Sequence, residues 1–215
     1  MTITHHPDDA LLMGYAAGAT NEGQSLVVAT HITFCPRCRR VVAQAETAGG
    51  AMLSGAEPQA LRDGALSSVL SRLDAATPQN IRPPANPNSS SLPVPLRSVI
   101  GSTLNDVRWN KIGFGIFYKP LIRRGSSNVQ LIRSQPGRGV GVHAHRGEEL
   151  TLVLTGGFTD VTGHYLRGDV QTTTSDVLHA PLADVGEDCI VLAVTDAPLR
   201  FANFGVSLLG KLFGF

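Results

Sequence analysis

Near the start of the chain lies a group of residues that commonly bind metal ions. His31, Cys35 and Cys38 form the pattern His-x3-Cys-x2-Cys. Imidazole nitrogen and thiolate sulfur are the ligands that tetrahedral zinc prefers, so this spacing predicts a structural Zn²⁺ site. The N-terminus of the helix predicted from Cys35 would favour the thiolate forms that bind zinc.

The predicted zinc site needs a fourth ligand from elsewhere in the chain. His5 and His6 are the nearest candidates, because the segment before the first predicted helix can fold back over the cluster. Asp8 and Asp9 are weaker alternatives, since carboxylate oxygens are harder donors than imidazole nitrogen. The residues alone leave the choice between the two histidines open.

The Cys-Pro-Arg-Cys segment also admits two other interpretations. A Cys-x-x-Cys sequence at a helix start is typical of thioredoxin-like redox proteins. Those proteins place a buried strand before the motif, whereas residues 20–34 favour a helix. The cysteines could also be ordinary buried residues. The spacing favours zinc over both alternatives.

A second group of potential ligands lies in the other half of the chain: His143, His145, Glu149 and His179. Two of its histidines are two residues apart and share one face of a strand. In a barrel, interior residues of several strands can converge on one point. Three imidazoles and a carboxylate predict a divalent metal site, with zinc as the first choice and iron, manganese or nickel as alternatives. Three further residues of potential ligand type are predicted not to bind this metal. We expect Glu148 to face solvent, His164 to lie in a surface turn, and Cys189 to be a buried strand residue.

Helices must position the first group. Four helices are predicted. The first begins at Asp8 or Asp9 and the second covers residues 25–31. The third runs from Cys35–Pro36 to Gly49–Gly50, and the fourth covers residues 58–76. In the fourth, apolar residues recur at helical spacing at Leu66, Val69, Leu70 and Leu73. Four short helices make a small core, which a metal would stabilise.

Strands must position the second group. Short β-rich runs separated by Gly, Asn and Asp turns predict an antiparallel barrel or jelly roll. The fold class is therefore a multidomain α+β protein. It comprises a helical domain at 1–85, a Pro/Asn/Ser-rich linker at 86–97, and a β domain at 98–215 that ends in an apolar segment, 206–215, expected to dock on the protein.

Composition excludes several classes of protein. The chain is 42% hydrophobic and 16% charged with a net charge of +1, which argues against disorder and against DNA binding through a basic surface. No apolar run reaches the about 20 residues that span a bilayer, and the N-terminus lacks a secretory signal. Three cysteines are too few for a disulfide framework. We therefore expect a cytoplasmic protein without a membrane partner.

The sequence His-Ala-His-Arg-Gly-Glu-Glu, followed by a later histidine after a Gly-Asp turn, resembles the two motifs of the cupin barrel. Together with the N-terminal His-x3-Cys-x2-Cys, it resembles the ChrR family of zinc-binding anti-sigma factors over nearly the whole chain. The resemblance implies that the first domain sequesters an extracytoplasmic-function (ECF) sigma factor. It also implies that the metal-binding cupin is needed for the response to singlet oxygen or related oxidants.

The resemblance also implies which residues bind the metals. The zinc ligands are His6, His31, Cys35 and Cys38, and the cupin ligands are His143, His145, Glu149 and His179. We expect no catalytic residues and no direct contact with DNA. The alternative is a mononuclear metal cupin enzyme, a dioxygenase or isomerase, with an ancillary zinc domain.

Overall fold

A computed structural model describes residues 2–74, 92–101, 103–124, 127–145, 147–196 and 200–201. Helices occupy the first part of the chain and antiparallel strands the second. Residues 86–91 of the predicted linker and the predicted docked segment at 206–215 lie outside the described residues. The predicted boundaries at 85 and 97 stay predictions, and the second of them falls within a short helix, Val94–Ile100.

Local signals set the starts of the N-terminal helices, which are α1 Asp9–Ala16, α2 Glu22–Phe34, α3 Pro36–Ser54 and α4 Ala65–Asp74. The side chain of Asp8 caps α1 by accepting a hydrogen bond from the backbone N–H of Leu11 at 2.7 Å. Asn21 and Gln24 form a capping box at the start of α2. Pro36 occupies the first turn of α3, where its missing N–H costs nothing.

Helix α2 is three residues longer at each end than the predicted 25–31, and two other helix boundaries differ more from the sequence prediction. Helix α3 continues through Gly49 and Gly50 to Ser54, because glycine inside a helix costs only about 1 kcal/mol relative to alanine and good helix formers surround this pair. Helix α4 begins at Ala65 rather than near residue 58. The reason is Gly64, whose φ of +73° is a left-handed conformation that ends any helix before it.

The second part of the chain is an antiparallel β domain preceded by a short helix, α5 Val94–Ile100. Its strands are β1 Asn110–Gly113, β2 Ile116–Arg124, β3 Ser127–Ser134, β4 His143–Ala144, β5 Glu149–Thr155, β6 Gly157–Asp160, β7 Gly163–Leu166, β8 Val170–Thr173, β9 Leu182–Ala183, β10 Cys189–Thr195 and β11 Arg200–Phe201. A six-stranded sheet has the order β1-β2-β3-β10-β5-β8, and smaller sheets have the orders β7-β6-β9 and β11-β4.

Strand β5 shows how the large sheet is buried on both faces. Leu150, Leu152 and Leu154 point to one side and pack with Val27 of α2 in the largest core cluster. Val153 points to the other side and packs in a second cluster. Because side chains alternate along a strand, a run that is apolar at nearly every position predicts cover on both faces. Helices cover one of those faces here.

Helix α2 is one of the elements that join the two parts. Its Val27 is fully buried and belongs to the same cluster as Val129 and Val194 of the large sheet. Gly23 permits this approach, since a Cβ atom there would lie 2.6 Å from the side chain of Val194 and 2.9 Å from that of Val129. The helical part therefore shares a core with the β domain.

Two candidate metal centres

Four residues of the helical part bring their donor atoms to one point. His6, His31, Cys35 and Cys38, called the N-terminal group below, each offer one donor atom, and these atoms all lie within 4.8 Å of one another. Nδ1 of His6 lies 3.4 Å from Sγ of Cys35 and 3.4 Å from Sγ of Cys38. A sulfur and a nitrogen bound to one tetrahedral zinc are about 3.5 Å apart.

The helix boundary between α2 and α3 creates this arrangement. His31 lies in the last turn of α2, and Cys35 is the residue that caps α3. The backbone N–H of Cys38 donates to Sγ of Cys35 at 3.5 Å, so both sulfurs lie at the positive end of the helix. The partial positive charge of the helix N-terminus favours a thiolate, but the burial of Cys38 outweighs it when no cation is bound.

The electrostatics of the N-terminal group suit a cation. Burial lowers the pKa of His31 to about 4, which keeps its imidazole neutral and able to coordinate. Burial also raises the pKa of the Cys38 thiol to about 12, so without a cation the sulfur keeps its proton. Nε2 of His31 is buried and has no hydrogen-bond partner. A buried, unpartnered imidazole nitrogen beside two sulfurs fits a bound Zn²⁺.

The structure separates His5 from His6, which the residues alone do not. His5 turns toward the β domain, where its ring lies 4.4 Å from that of Tyr165 and its Nδ1 lies 3.6 Å from Oδ2 of Asp169. His6 faces the two cysteines instead.

A second cluster lies in the β domain. His143, His145, Glu149 and His179, called the C-terminal group below, are all buried and have donor atoms within 4.8 Å of one another. Nε2 of His145 lies 3.0 Å from Nε2 of His179 and 3.0 Å from Oε2 of Glu149. Two ligands of one ion at about 2.1 Å are separated by roughly 3.0–4.2 Å, depending on their angle. These distances fit one shared divalent ion.

Strand pairing and hydrogen bonds orient two of the three histidines of this group, His143 and His179. His143 and His179 pair through their backbones, and Nδ1 of His143 lies 2.8 Å from the carbonyl oxygen of Gly141. Nδ1 of His179 lies 2.8 Å from Oδ2 of Asp160. A partner on the second ring nitrogen fixes which nitrogen faces the metal.

Asp160 is a residue that the sequence analysis missed. It ends β6 and its oxygen Oδ2 accepts a hydrogen bond of 2.7 Å from Nε2 of Gln171 on β8. Burial acts to raise its pKa, but the hydrogen bonds from Thr162, Gln171 and His179 lower it overall. No spacing rule connects it with a histidine 19 residues away. Sequence patterns therefore give no signal for it.

The charge on Glu149 is also stabilised. Burial acts to raise its pKa, but the hydrogen bond with His145 and the nearby imidazoles lower it overall. Burial lowers the pKa of His143 to about 4. The C-terminal group thus presents an ionised carboxylate beside a neutral imidazole, a combination that binds divalent cations.

The predictions for Glu148, His164 and Cys189 are confirmed only in part. The prediction that Glu148 faces solvent is wrong: it is partly buried on the sheet face that the helices cover, and burial and Asp8 raise its pKa. His164 is half exposed, as predicted, but it lies in strand β7 rather than in a turn, and it pairs with Asp184 at 2.7 Å. Cys189 is buried in β10, also as predicted, and burial raises its pKa to about 12.

Within the described residues, no helix is long and apolar enough to cross a bilayer.

The fold and the two groups define a class of protein in which helices carrying a Cys₂His₂ set are packed on a cupin-like β domain. The family model for the ChrR cupin-like domain matches residues 98–198. The chain is 42% identical over 214 residues to the anti-sigma-E factor ChrR of Cereibacter sphaeroides. The alignment covers 99% of each of the two chains.

A crystal structure of Rhodobacter sphaeroides SigE in complex with the anti-sigma ChrR is also similar. It matches with a TM-score of 0.80 and 39% identity, over 90% of this chain and 99% of that chain. The chain belongs to the ChrR family.

Proposed function

We propose that this protein is an anti-sigma factor that sequesters an ECF sigma factor. The observation that carries the proposal is the similarity, over nearly the full length, to a relative named anti-sigma-E factor. A similar chain has been crystallised in complex with SigE. Neither relative is named for a reaction, which favours a regulatory role over the alternative of a metal-dependent enzyme.

Helix α4 offers a surface for the sigma factor. Its apolar residues remain between 50% and 69% exposed, namely Leu66, Val69, Leu70 and Leu73. Exposed apolar patches of this kind mark interaction sites, because water contact with them is unfavourable. An amphipathic helix of the sigma factor could bury this stripe. With a net charge of +1, the chain would act by covering the sigma factor rather than by binding DNA.

The proposal assigns a metal to each group. Zn²⁺ would be held by the N-terminal group, fixing α1–α4 as a four-helix zinc domain. A divalent ion, zinc or otherwise iron, manganese or nickel, would be held by the C-terminal group inside a closed cupin barrel. The geometry described above supports both assignments, since each group places its donors at distances that one ion requires.

The proposal also includes the response to singlet oxygen or related oxidants. The C-terminal group supports it, because four protein ligands leave room for a further ligand on an octahedral ion. Helix α2 packs directly on the sheet that carries Glu149, so a change in that sheet reaches the helical part. Because a sigma factor acts on RNA polymerase in the cytoplasm, we propose that this protein acts there too.

Inhibition of sigma-dependent transcription by the purified chain tests the proposal. We expect the full chain to inhibit its sigma factor, and Val69→Asp in the exposed stripe to weaken inhibition at least tenfold. Val161→Asp is the matched control, since Val161 is 77% exposed in a turn of the β domain. Inhibition that is unchanged in Val69→Asp would contradict the proposed surface, and no inhibition by the wild type would contradict the function.

A fragment of residues 1–85 tests whether the helical part is sufficient. We expect it to bind and inhibit the sigma factor, because all four N-terminal ligands and α4 lie within it. Removing the β domain exposes Val27, so the fragment should be less stable than the full chain. A folded, zinc-loaded fragment without inhibition would contradict the expectation.

A further inference from the structure

The turn between β7 and β8 contacts the helical part through each of its three residues, 167–169. The guanidinium group of Arg167 lies 4.8 Å from the ring centre of Phe34, the last residue of α2. Next to it, the carbonyl oxygen of Gly168 lies 2.8 Å from Nδ1 of His31. A carbonyl can only accept, so Nδ1 carries the proton and donates it. Nε2 is then left free to coordinate a metal.

Asp169 fixes the segment that carries His6. The Asp169 side chain is 2% exposed, and its Oδ1 accepts hydrogen bonds from the backbone N–H groups of Thr4 at 2.8 Å and His5 at 2.9 Å. Its Oδ2 accepts from the backbone N–H of Leu166 at 2.9 Å. Burial acts to raise the pKa of Asp169, but these N–H donors lower it overall.

A backbone hydrogen bond extends this contact. The N–H of Val170 donates to the carbonyl oxygen of His5 at 3.1 Å, so the start of β8 pairs with the residue directly before His6. Gly168 makes the approach possible. Its φ is +93°, and a Cβ atom there would lie 2.8 Å from the side chain of Ile3 and 3.4 Å from Cβ of Phe34.

We propose that this turn of the β domain is part of the N-terminal zinc site, with Asp169 as a positioning residue for His6 and the Gly168 carbonyl as the partner that orients His31. The inference rests on the zinc site of the proposed function. Two of the four ligands, His6 and His31, then depend on the other domain for their geometry. Partners of this kind typically change metal affinity 10- to 100-fold.

Cobalt(II) titration of the full-length protein measures this effect. Co²⁺ bound to thiolate gives a charge-transfer absorption, which reports on the N-terminal group because the C-terminal group contains no cysteine. We expect Asp169→Asn to weaken Co²⁺ binding about 10- to 100-fold, since an amide nitrogen cannot accept the hydrogen bond from Leu166. Competition with a chelator gives the same comparison for Zn²⁺.

Matched variants separate positioning from general damage. Asp184→Asn is the control for Asp169→Asn, since Asp184 pairs with His164 within the β domain. Thr4→Pro removes one N–H donor to Asp169 from the other side of the contact and should weaken binding in the same direction, whereas Thr2→Pro should not. Circular dichroism shows which variants fold. If Asp169→Asn does not fold, the Co²⁺ affinity of Thr4→Pro tests the positioning role instead.

The outcomes distinguish this inference from the site on which it rests. Wild-type Co²⁺ affinity in folded Asp169→Asn, or in folded Thr4→Pro when Asp169→Asn does not fold, would overturn the positioning role and leave the zinc site standing. The absence of a thiolate band in the wild type would overturn the zinc site and the positioning role together. Weaker binding in Asp169→Asn and Thr4→Pro, with both controls unchanged, would support the proposal.

Discussion

The two candidate metal groups are oriented in different ways. Ligands of the N-terminal group all come from the helical part, but His31 hydrogen-bonds to Gly168 of the β domain. The C-terminal group is oriented by its own domain, through Gly141 and Asp160. Both groups combine three clustered ligands with one histidine from elsewhere in the chain. They differ in that the N-terminal group depends on a contact with the other domain, whereas the C-terminal group depends on contacts within its own.

The two groups also differ in the protonation of their ligands before a cation binds. Burial raises the pKa of Cys38 to about 12, so the N-terminal group must lose protons when a metal binds. In the C-terminal group, neighbouring imidazoles help to lower the pKa of Glu149 against the effect of burial, so its carboxylate is already charged. The first group therefore releases protons when a cation binds, whereas the carboxylate of the second is already ionised.

The largest effect should come from the thiolates. We expect Cys35→Ser to lose one metal ion and sigma inhibition together, because the bound zinc supplies folding free energy, on the order of 10–16 kcal/mol in small zinc peptides. Metal analysis and transcription inhibition measure the two losses. Cys189→Ser is the control, as Cys189 is a buried thiol in β10. Two metal ions per chain in Cys35→Ser would break the comparison between the groups.

Removal of an imidazole from the C-terminal group should separate the two functions. We expect His143→Ala to lose the other metal ion and the oxidant response while sigma inhibition persists, since α4 and the N-terminal group are intact. A sigma-dependent reporter with singlet-oxygen exposure measures the response. His164→Ala is the control, because His164 is half exposed and pairs with Asp184. Loss of sigma inhibition in His143→Ala at normal protein levels would contradict this division.

A smaller effect should follow from the partner of His179. We expect Asp160→Asn to weaken the C-terminal metal about 10- to 100-fold, because the hydrogen bond that orients the ring is weakened. The cobalt–thiolate absorption of the N-terminal group should be unchanged. Asp184→Asn serves as the control again. If Asp160→Asn kept the full affinity of the C-terminal group, local orientation of that group would be disproved.

The smallest effect should come from Cys189. We expect Cys189→Ser to keep the oxidant response, because burial raises the pKa of this thiol to about 12 and an inert thiol is a poor sensor. Burying a hydroxyl in its place should cost about 1–3 kcal/mol in unfolding free energy, measured in urea. A folded variant that no longer responds would move the sensor from the C-terminal group to this cysteine.

Local patterns in the sequence determined much of this molecule. Helical periodicity and capping residues placed α1–α3 within a few residues, and short runs of β-formers placed the main strands. The donor types and spacings of Cys35, Cys38, His143 and His145 marked both groups. These features depend on residues that are close together in the sequence, so a sequence pattern predicts them directly.

Only the tertiary structure decided how distant parts meet. It turned His6 toward the sulfurs and His5 toward Asp169, and it placed Asp160 behind His179. It also covered the sheet face of Glu148 with helices, where the alternation of strand residues indicated solvent. Contacts of this kind join residues far apart in the chain. Alternation gives the face on which a side chain lies, but the packing of another domain decides whether that face meets water.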